Sequence, residues 1–185
     1  MMSDDTERIY KEGLIKMAVI YLAAGCFWGA QKFFDQFDGV LSTEVGYANG
    51  PDTAPTYEDV KHDSGHAETV KLVYDEKVIS LSQLLRYYFM IIDPVSVNRQ
   101  GEDEGIQYRT GIYYTDEAQT DEIDAECKII KEKTGDAFAV EVLPLKNFYT
   151  AEEYHQKYLD KNPKGYCHVP GEMLQLGKNL KKADK

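Results

Sequence analysis

The chain has 185 residues, 43% of them hydrophobic, enough for one domain with a substantial core. Its formal net charge of −11 argues against a nucleic-acid surface, because phosphates would be repelled. No run approaches the roughly 20 apolar residues of a membrane span, the N-terminus with Asp4, Asp5 and Glu7 lacks a basic, apolar leader, and three widely spaced cysteines make neither a disulfide framework nor a CxxC metal site.

Residues 19–23 form an apolar run that predicts a buried strand, and Ala30, Phe33, Phe34 and Phe37 then recur at helical spacing. Between them lies Gly25-Cys26-Phe27-Trp28-Gly29, which puts a thiol at a strand-to-helix turn. Free backbone N–H groups and the positive end of the helix dipole favour a thiolate there. An inert cysteine filling a tight turn is the plain alternative. Residues 40–47 read as a second strand, 48–56 with Asn49-Gly50-Pro51 as a loop, and 68–74 as a third strand. Ser80 and Gln83 form a capping box ahead of Leu84, Leu85, Tyr88 and Phe89, predicting a helix that Asp93-Pro94 stops. Residues 95–107 are polar and aperiodic, and a loop of that length in a compact domain is usually functional. A strand over 109–114, a helix over 116–133 ending at Gly135 and a strand over 138–143 follow. Thr150 and Glu153 predict the cap of a last helix through Leu159, after which Pro163, Gly165, Pro170 and Gly171 break any regular element. No repeat and no earlier linker divides the chain, so residues 1–185 read as a single catalytic domain with a core over about 17–160 and a coil tail over 161–185. Strands separated by helices predict a mixed two-layer arrangement, whose strand order the pattern leaves open.

In the third strand Glu68 has the parity of Val70, Leu72 and Tyr74, so the pleat aims its carboxylate at the apolar face. There burial would raise its pKa and keep it protonated near neutral pH. A strand-end glutamate turned to solvent fits the pattern equally well, and His66 shares the ambiguity. A thiol of pKa about 8.5 is only a few per cent ionised at pH 7. A helix end contributes roughly 0.3–1 kcal/mol, less than the roughly 1.4 that one pKa unit requires. An ionised Glu68 beside Cys26 would oppose the thiolate, so the two are compatible only if Glu68 holds its proton, and they then titrate as a pair.

Gly25-Cys26-Phe27-Trp28-Gly29, Gly65-His66-Ala67-Glu68, Asn98-Arg99-Gln100-Gly101, Asp103, Gln107-Tyr108-Arg109 and Gly165-Tyr166-Cys167 occur in this order between about Met17 and Cys167. Together they resemble the A-type peptide methionine sulfoxide reductases. The resemblance implies an α+β, ferredoxin-like two-layer sandwich with βαβ units, a mixed sheet and long peripheral loops. It implies Cys26 as nucleophile, Glu68 as proton donor, Tyr57 and Tyr108 as hydroxyl donors, Phe27 and Trp28 as the methyl pocket and Asp103 as a further polar site residue. Tyr158 and His155 match positions near the pocket, although a Tyr154-Tyr158-Leu159 stripe on the last helix reads equally as core. The chemistry suits these residue types: a sulfoxide sulfur yields to a nucleophile only when its oxygen is given a hydrogen bond and then a proton.

Attack would leave a sulfenic acid that a second thiol condenses to a disulfide. Cys127 shares an apolar helix face with Ile123 and Ile130, whereas Cys167 lies in the broken tail and matches the resolving position of the resemblance. The tail has no more distal cysteine, so a relay through two resolving thiols needs Cys127. Between Tyr57 and Gly65 the chain is one residue shorter and more charged than the common form of the family, which loosens the register of Tyr57. No dinucleotide fingerprint follows a strand, so no cofactor is expected. The resemblance implies thioredoxin as external dithiol, the S epimer of methionine sulfoxide, free or in proteins, as substrate, and the repair of oxidised proteins; the missing span and leader predict the cytoplasm, and a monomer is expected. A cysteine hydrolase with His66 or His168 as base, and a non-catalytic redox sensor, are the rival classes.

Overall fold

A computed structural model describes residues 13–183, so Asp4, Asp5, Glu7 and the last two residues of the tail lie outside the described residues. β1 (Met17–Ala24) leads into α1 (Phe27–Phe34) and β2 (Val40–Ala48), and a short helix α2 (Tyr57–Lys61) precedes β3 (Ala67–Asp75) and α3 (Leu81–Ile91). The two-residue strands β4 (Arg99–Gln100) and β5 (Asp103–Glu104) pair with each other ahead of β6 (Thr110–Tyr114), α4 (Thr120–Thr134), β7 (Glu141–Pro144) and β8 (Phe148–Thr150). Helices α5 (Tyr158–Lys161) and α6 (Leu176–Ala183) follow. No helix among the described residues is long and apolar enough to cross a membrane.

The main sheet runs β7-β6-β1-β3-β2-β8. Its four central strands, β6-β1-β3-β2, pair antiparallel with one another, and with α1 and α3 as crossovers they make a ferredoxin-like βαββαβ core. β7 joins β6 in parallel after α4, which makes the sheet mixed, and β8 lines the far edge of β2. Alternation decides the faces. Leu22, Val45, Val70, Leu72 and Ile112 point to the side where Phe33, Phe34, Leu84, Leu85 and Ile123 form the main core. The opposite face keeps a smaller cluster of Ala23, Ala48, Ala67 and Tyr113. Cys127 is buried in the main core beside Ile123, as its helical face predicts.

β1 passes into α1 through Gly25, whose φ of 77° lies in the left-handed region that glycine adopts freely. A Cβ there would stand 2.7 Å from Gln100 Cβ, so the turn also needs glycine for space. The turn thereby brings the β4–β5 hairpin against the start of α1.

Several boundaries differ from the sequence pattern. The expected helix through Leu159 is instead β8, one 3-10 turn at Glu153–His155 and the short α5. Thr150 pairs with Gly46 rather than capping a helix, and Lys157 at φ 54° interrupts the helical path. That strained backbone is held from elsewhere: Lys157 Nζ reaches both oxygens of Asp35 at 2.6 Å and Thr43 Oγ1 at 2.7 Å. The loop over 95–107 contains the β4–β5 hairpin, and residues 57–61 form a helix whose Thr56–Asp59 capping box the pattern did not single out. β7 starts at Glu141, because Ala139 N–H is committed to Pro94 O at 2.7 Å. The tail is not coil throughout: α6 docks by Gly177 N–H on Gln36 Oε1 at 2.7 Å.

Phe33 is fully buried between α1 and the sheet. Phe33→Ala removes a ring that its neighbours cannot replace, and is expected to lower unfolding free energy by about 3–5 kcal/mol in denaturant titrations.

Candidate active site

Cys26 is the N-cap residue of α1 and is 6% exposed. The N–H groups of Trp28 and Gly29 pull its thiol pKa down, but burial first and the neighbouring Glu68 second hold it well above the ordinary range. The thiolate expected from the helix end therefore does not form at rest. Dehydration outweighs the dipole.

Glu68, in β3, turns inward and is 2% exposed. Its Oε2 accepts the Phe27 N–H at 3.0 Å, so a strand carboxyl occupies the anion position at the first turn of α1, a turn that carries no acidic residue of its own. Burial drives its pKa up to about 8, the Phe27 N–H opposes that, and Asp103 adds to it. The group is a neutral acid at pH 7. Of the two readings of its parity, the inward one holds.

Tyr57, at the start of α2, has its hydroxyl pKa pushed up to about 12 by burial and by the charges of Glu68 and Cys26. Tyr108, at the end of a 3-10 turn before β6, is raised by burial and then by Glu68, Tyr57, Asp103 and Cys26. Both phenols thus stay protonated donors beside the acid and the thiol. Asp103 in β5 is raised by burial and lowered by Tyr166 and His168, and its Oδ2 is buried without a hydrogen-bond partner among the described residues. Phe27 packs in the core against Tyr47 and His155. Trp28 is half-buried and stacks on Tyr158 with ring centres 3.7 Å apart and 12° between planes. Tyr158 therefore backs the Trp28 indole, and Tyr154, 53% exposed, is no part of a core stripe.

Cys167 is half-buried, with Sγ 3.4 Å from Val169 O, and burial raises its pKa. It lies over α1: a Cβ on Gly29 would stand 2.9 Å from its sulfur. His66 is committed elsewhere, to Ser64 Oγ and Pro51 O, each at 2.9 Å. Among the described residues no group of three or more His, Cys, Asp or Glu could hold a metal ion.

Glu152 escaped the sequence reading, and His155 was only half seen. His155 was visible only as a position near the pocket, yet its buried ring accepts the Trp28 indole N–H at 2.9 Å on Nδ1 and meets the edge of Tyr57. Glu152 accepts from Tyr47 OH at 3.1 Å and from Tyr57 N–H at 3.2 Å, tying β2 to α2. A charge in an irregular segment carries no periodicity, so nothing short of the fold reveals Glu152. The assembled site can do one thing well: deliver a proton from a buried acid, flanked by two hydroxyl donors, to an atom adjoining a sulfur nucleophile.

A family model described as "Peptide methionine sulfoxide reductase" matches residues 18–184. The chain belongs to the peptide methionine sulfoxide reductase family. A peptide methionine sulfoxide reductase MsrA of Lachnoclostridium phytofermentans is 58% identical over 151 residues, covering 81% of this chain and 91% of that protein. The crystal structure of Mxr1 from Saccharomyces cerevisiae in reduced form aligns with TM-score 0.78 and 38% identity, over 84% of this chain and 92% of that one. Mxr1 in complex with Trx2 aligns with TM-score 0.55 and 28% identity, over 77% and 85% of the two chains. The reductase thus has an MsrA-type fold.

In the reductase the indole hydrogen bond requires a neutral His155 with its proton on Nε2, which lies 4.0 Å from Glu152 Oε2. Burial holds the His155 pKa at about 4, against a smaller upward pull from Glu152. Since the folded pKa lies below the ordinary 6.5, the associated stability is complete above pH 6.5 and is lost as pH falls through 4. Emission from Trp28, the sole tryptophan, is expected to change with a midpoint near pH 4. In His155→Gln, whose amide oxygen accepts the indole N–H at any pH, that transition should vanish; its persistence would break the link.

Proposed function

We propose that the reductase acts on the S epimer of methionine sulfoxide, free and in proteins, through a cysteine sulfenic acid, and so repairs oxidised proteins. The whole chain works as one catalytic domain and as a monomer. The observation that carries this reading is the neutral Glu68 carboxyl seated on the Phe27 N–H, one residue from Cys26.

The sulfoxide oxygen accepts hydrogen bonds from Glu68, Tyr57 and Tyr108, while Phe27 and Trp28 face the methyl group and Tyr158 backs the indole. Asp103 holds the polar rim. Cys26 attacks the substrate sulfur as Glu68 hands its proton to the oxygen, and the thiol proton replaces the one Glu68 gave. Oxygen passes to Cys26, methionine leaves, and the sulfenic acid remains. The high pKa of Cys26 fits this order, because the thiol proton departs only as Glu68 ionises toward the substrate. Cys167 then condenses with the sulfenic acid, and an external thioredoxin reduces the disulfide, as the yeast relative in complex with Trx2 suggests. The hydrolase alternative with His66 as base loses support from the two hydrogen bonds that already occupy that ring.

Reduced enzyme mixed with methionine sulfoxide and no reductant is expected to release about one methionine per chain and to lose two free thiols. Peptide mapping should join Cys26 to Cys167; a Cys26–Cys127 bridge would overturn the assignment of Cys167, and absence of the burst would overturn the reaction.

Glu68→Gln keeps an acceptor for the Phe27 N–H but has no proton to give, and is expected to lower single-turnover methionine release by about 10²–10⁴-fold with substrate affinity largely kept. The same variant tests the electrostatics. Because the folded Glu68 pKa of about 8 exceeds the ordinary 4.5, its stability contribution is complete below pH 4.5 and is lost as pH rises through 8. Stability measured from pH 4.5 to 8 should therefore fall less steeply in Glu68→Gln than in the parent.

A further inference from the structure

Gly25 and Gly29 flank Cys26 on the same turn, and the space that their missing side chains leave is filled by one short segment of the tail. A Cβ on Gly29 would meet Cys167 Sγ at 2.9 Å, Val169 Cγ2 at 3.2 Å and His168 Nδ1 at 3.3 Å; a Cβ on Gly25 would meet His168 Nε2 at 3.5 Å. The His168 ring therefore lies across the base of the Cys26 turn with the Cys167 sulfur crowded beside it. Val169, 3% exposed, anchors the segment in the main core. The tail around Cys167 is thus docked on the site rather than swinging free of it.

Neither ring nitrogen of His168 has a hydrogen-bond partner among the described residues, although both are buried, and the same is true of Asp103 Oδ2. The titratable group acting on the ring from another element is Asp103 of β5, and on its own segment the Cys167 sulfur shares the space over Gly29 with it. Burial lowers the His168 pKa from 6.5, while Asp103 and the nearby Ala24 carbonyl pull it back. A neutral imidazole with a carboxyl group behind it can accept a proton and hold the resulting charge.

We propose that His168 is the general base of the resolving step, taking the proton from Cys167 Sγ as that sulfur attacks the Cys26 sulfenic acid. The inference rests on Cys167 being the resolving thiol. The S–H bond of Cys167 breaks, the S–S bond forms, and the Cys26 S–OH bond breaks; the proton passes through His168 to the departing hydroxide, which leaves as water. The sulfenic sulfur is reduced by the electron pair that the Cys167 sulfur supplies, so no further oxidant or reductant enters. Burial of Cys167 makes such a base necessary, because the thiol does not ionise readily by itself. Glu68 does not serve, because the Cys26 proton has by then returned it to its neutral form.

The test follows both steps after reduced full-length enzyme is mixed with the S epimer of methionine sulfoxide: methionine release reports the first step, and loss of the second free thiol reports the resolving step. In His168→Ala, thiol loss should slow at least tenfold more than methionine release, and millimolar imidazole should restore it. His168→Gln keeps most of the ring's bulk without its basicity and should slow thiol loss equally. The parent's rate of thiol loss should fall as pH drops below 6.5, and both variants should lack that limb. Parent-like thiol loss in either variant, equal slowing of the two steps, or no response to imidazole overturns His168 as base. Loss of two thiols in Cys167→Ser overturns the resolving role of Cys167 itself, which keeps the two failures distinguishable.

Discussion

The hydrogen bond from Phe27 N–H to Glu68 joins the first turn of α1 to the middle of the sheet, and the chemistry of the site depends on its peculiar balance. A helix N-terminus ordinarily welcomes a carboxylate. Here a single N–H is set against complete burial, and burial wins by more than three pKa units, from 4.5 to about 8. Because the carboxyl is neutral, it can sit beside a thiol and two phenols without repelling their lone pairs. Were it ionised, the Cys26, Tyr57 and Tyr108 protons would all be held more tightly and no proton would remain to donate.

The rest of the fold keeps that carboxyl dry and in place. β3 lies between β1 and β2 in the sheet and Glu68 is held in register opposite Tyr47 of β2, while Gly25 lets the chain turn sharply enough for Cys26 to start α1 above it. Glu152 fastens Tyr57 and Tyr47 from the far edge, and His155 fastens Trp28. The aromatic wall is thereby assembled from segments more than 100 residues apart, with Trp28 pressed on Tyr158 and Phe27 on His155.

What the sequence made legible follows from which forces are local. The inward aim of Glu68 is a matter of strand parity, and the helical face of Cys127 a matter of period; both depend only on near neighbours. Tyr57, Tyr108 and Asp103 stand in loops or at element ends, where no period exists, and only the motif resemblance pointed to them. The region from Thr150 to Leu159 failed as a helix because Lys157 is held in a left-handed conformation by Asp35 and Thr43, contacts over a hundred residues away. The ionisation of Cys26 failed for a kindred reason: the dipole at a helix end can be read from a pattern, whereas the loss of water around a sulfur depends on everything packed above it.

That sulfur, shielded and protonated in the resting enzyme, has a consequence for how the molecule lives among oxidants. Peroxides and alkylating electrophiles react with the anion of cysteine, whose population here is suppressed. On the proposed mechanism the nucleophile is unmasked by the ligand that offers an oxygen to the acid, so that chemical selectivity precedes any recognition of the surrounding peptide. Such a centre stays dormant in the conditions that create its substrate.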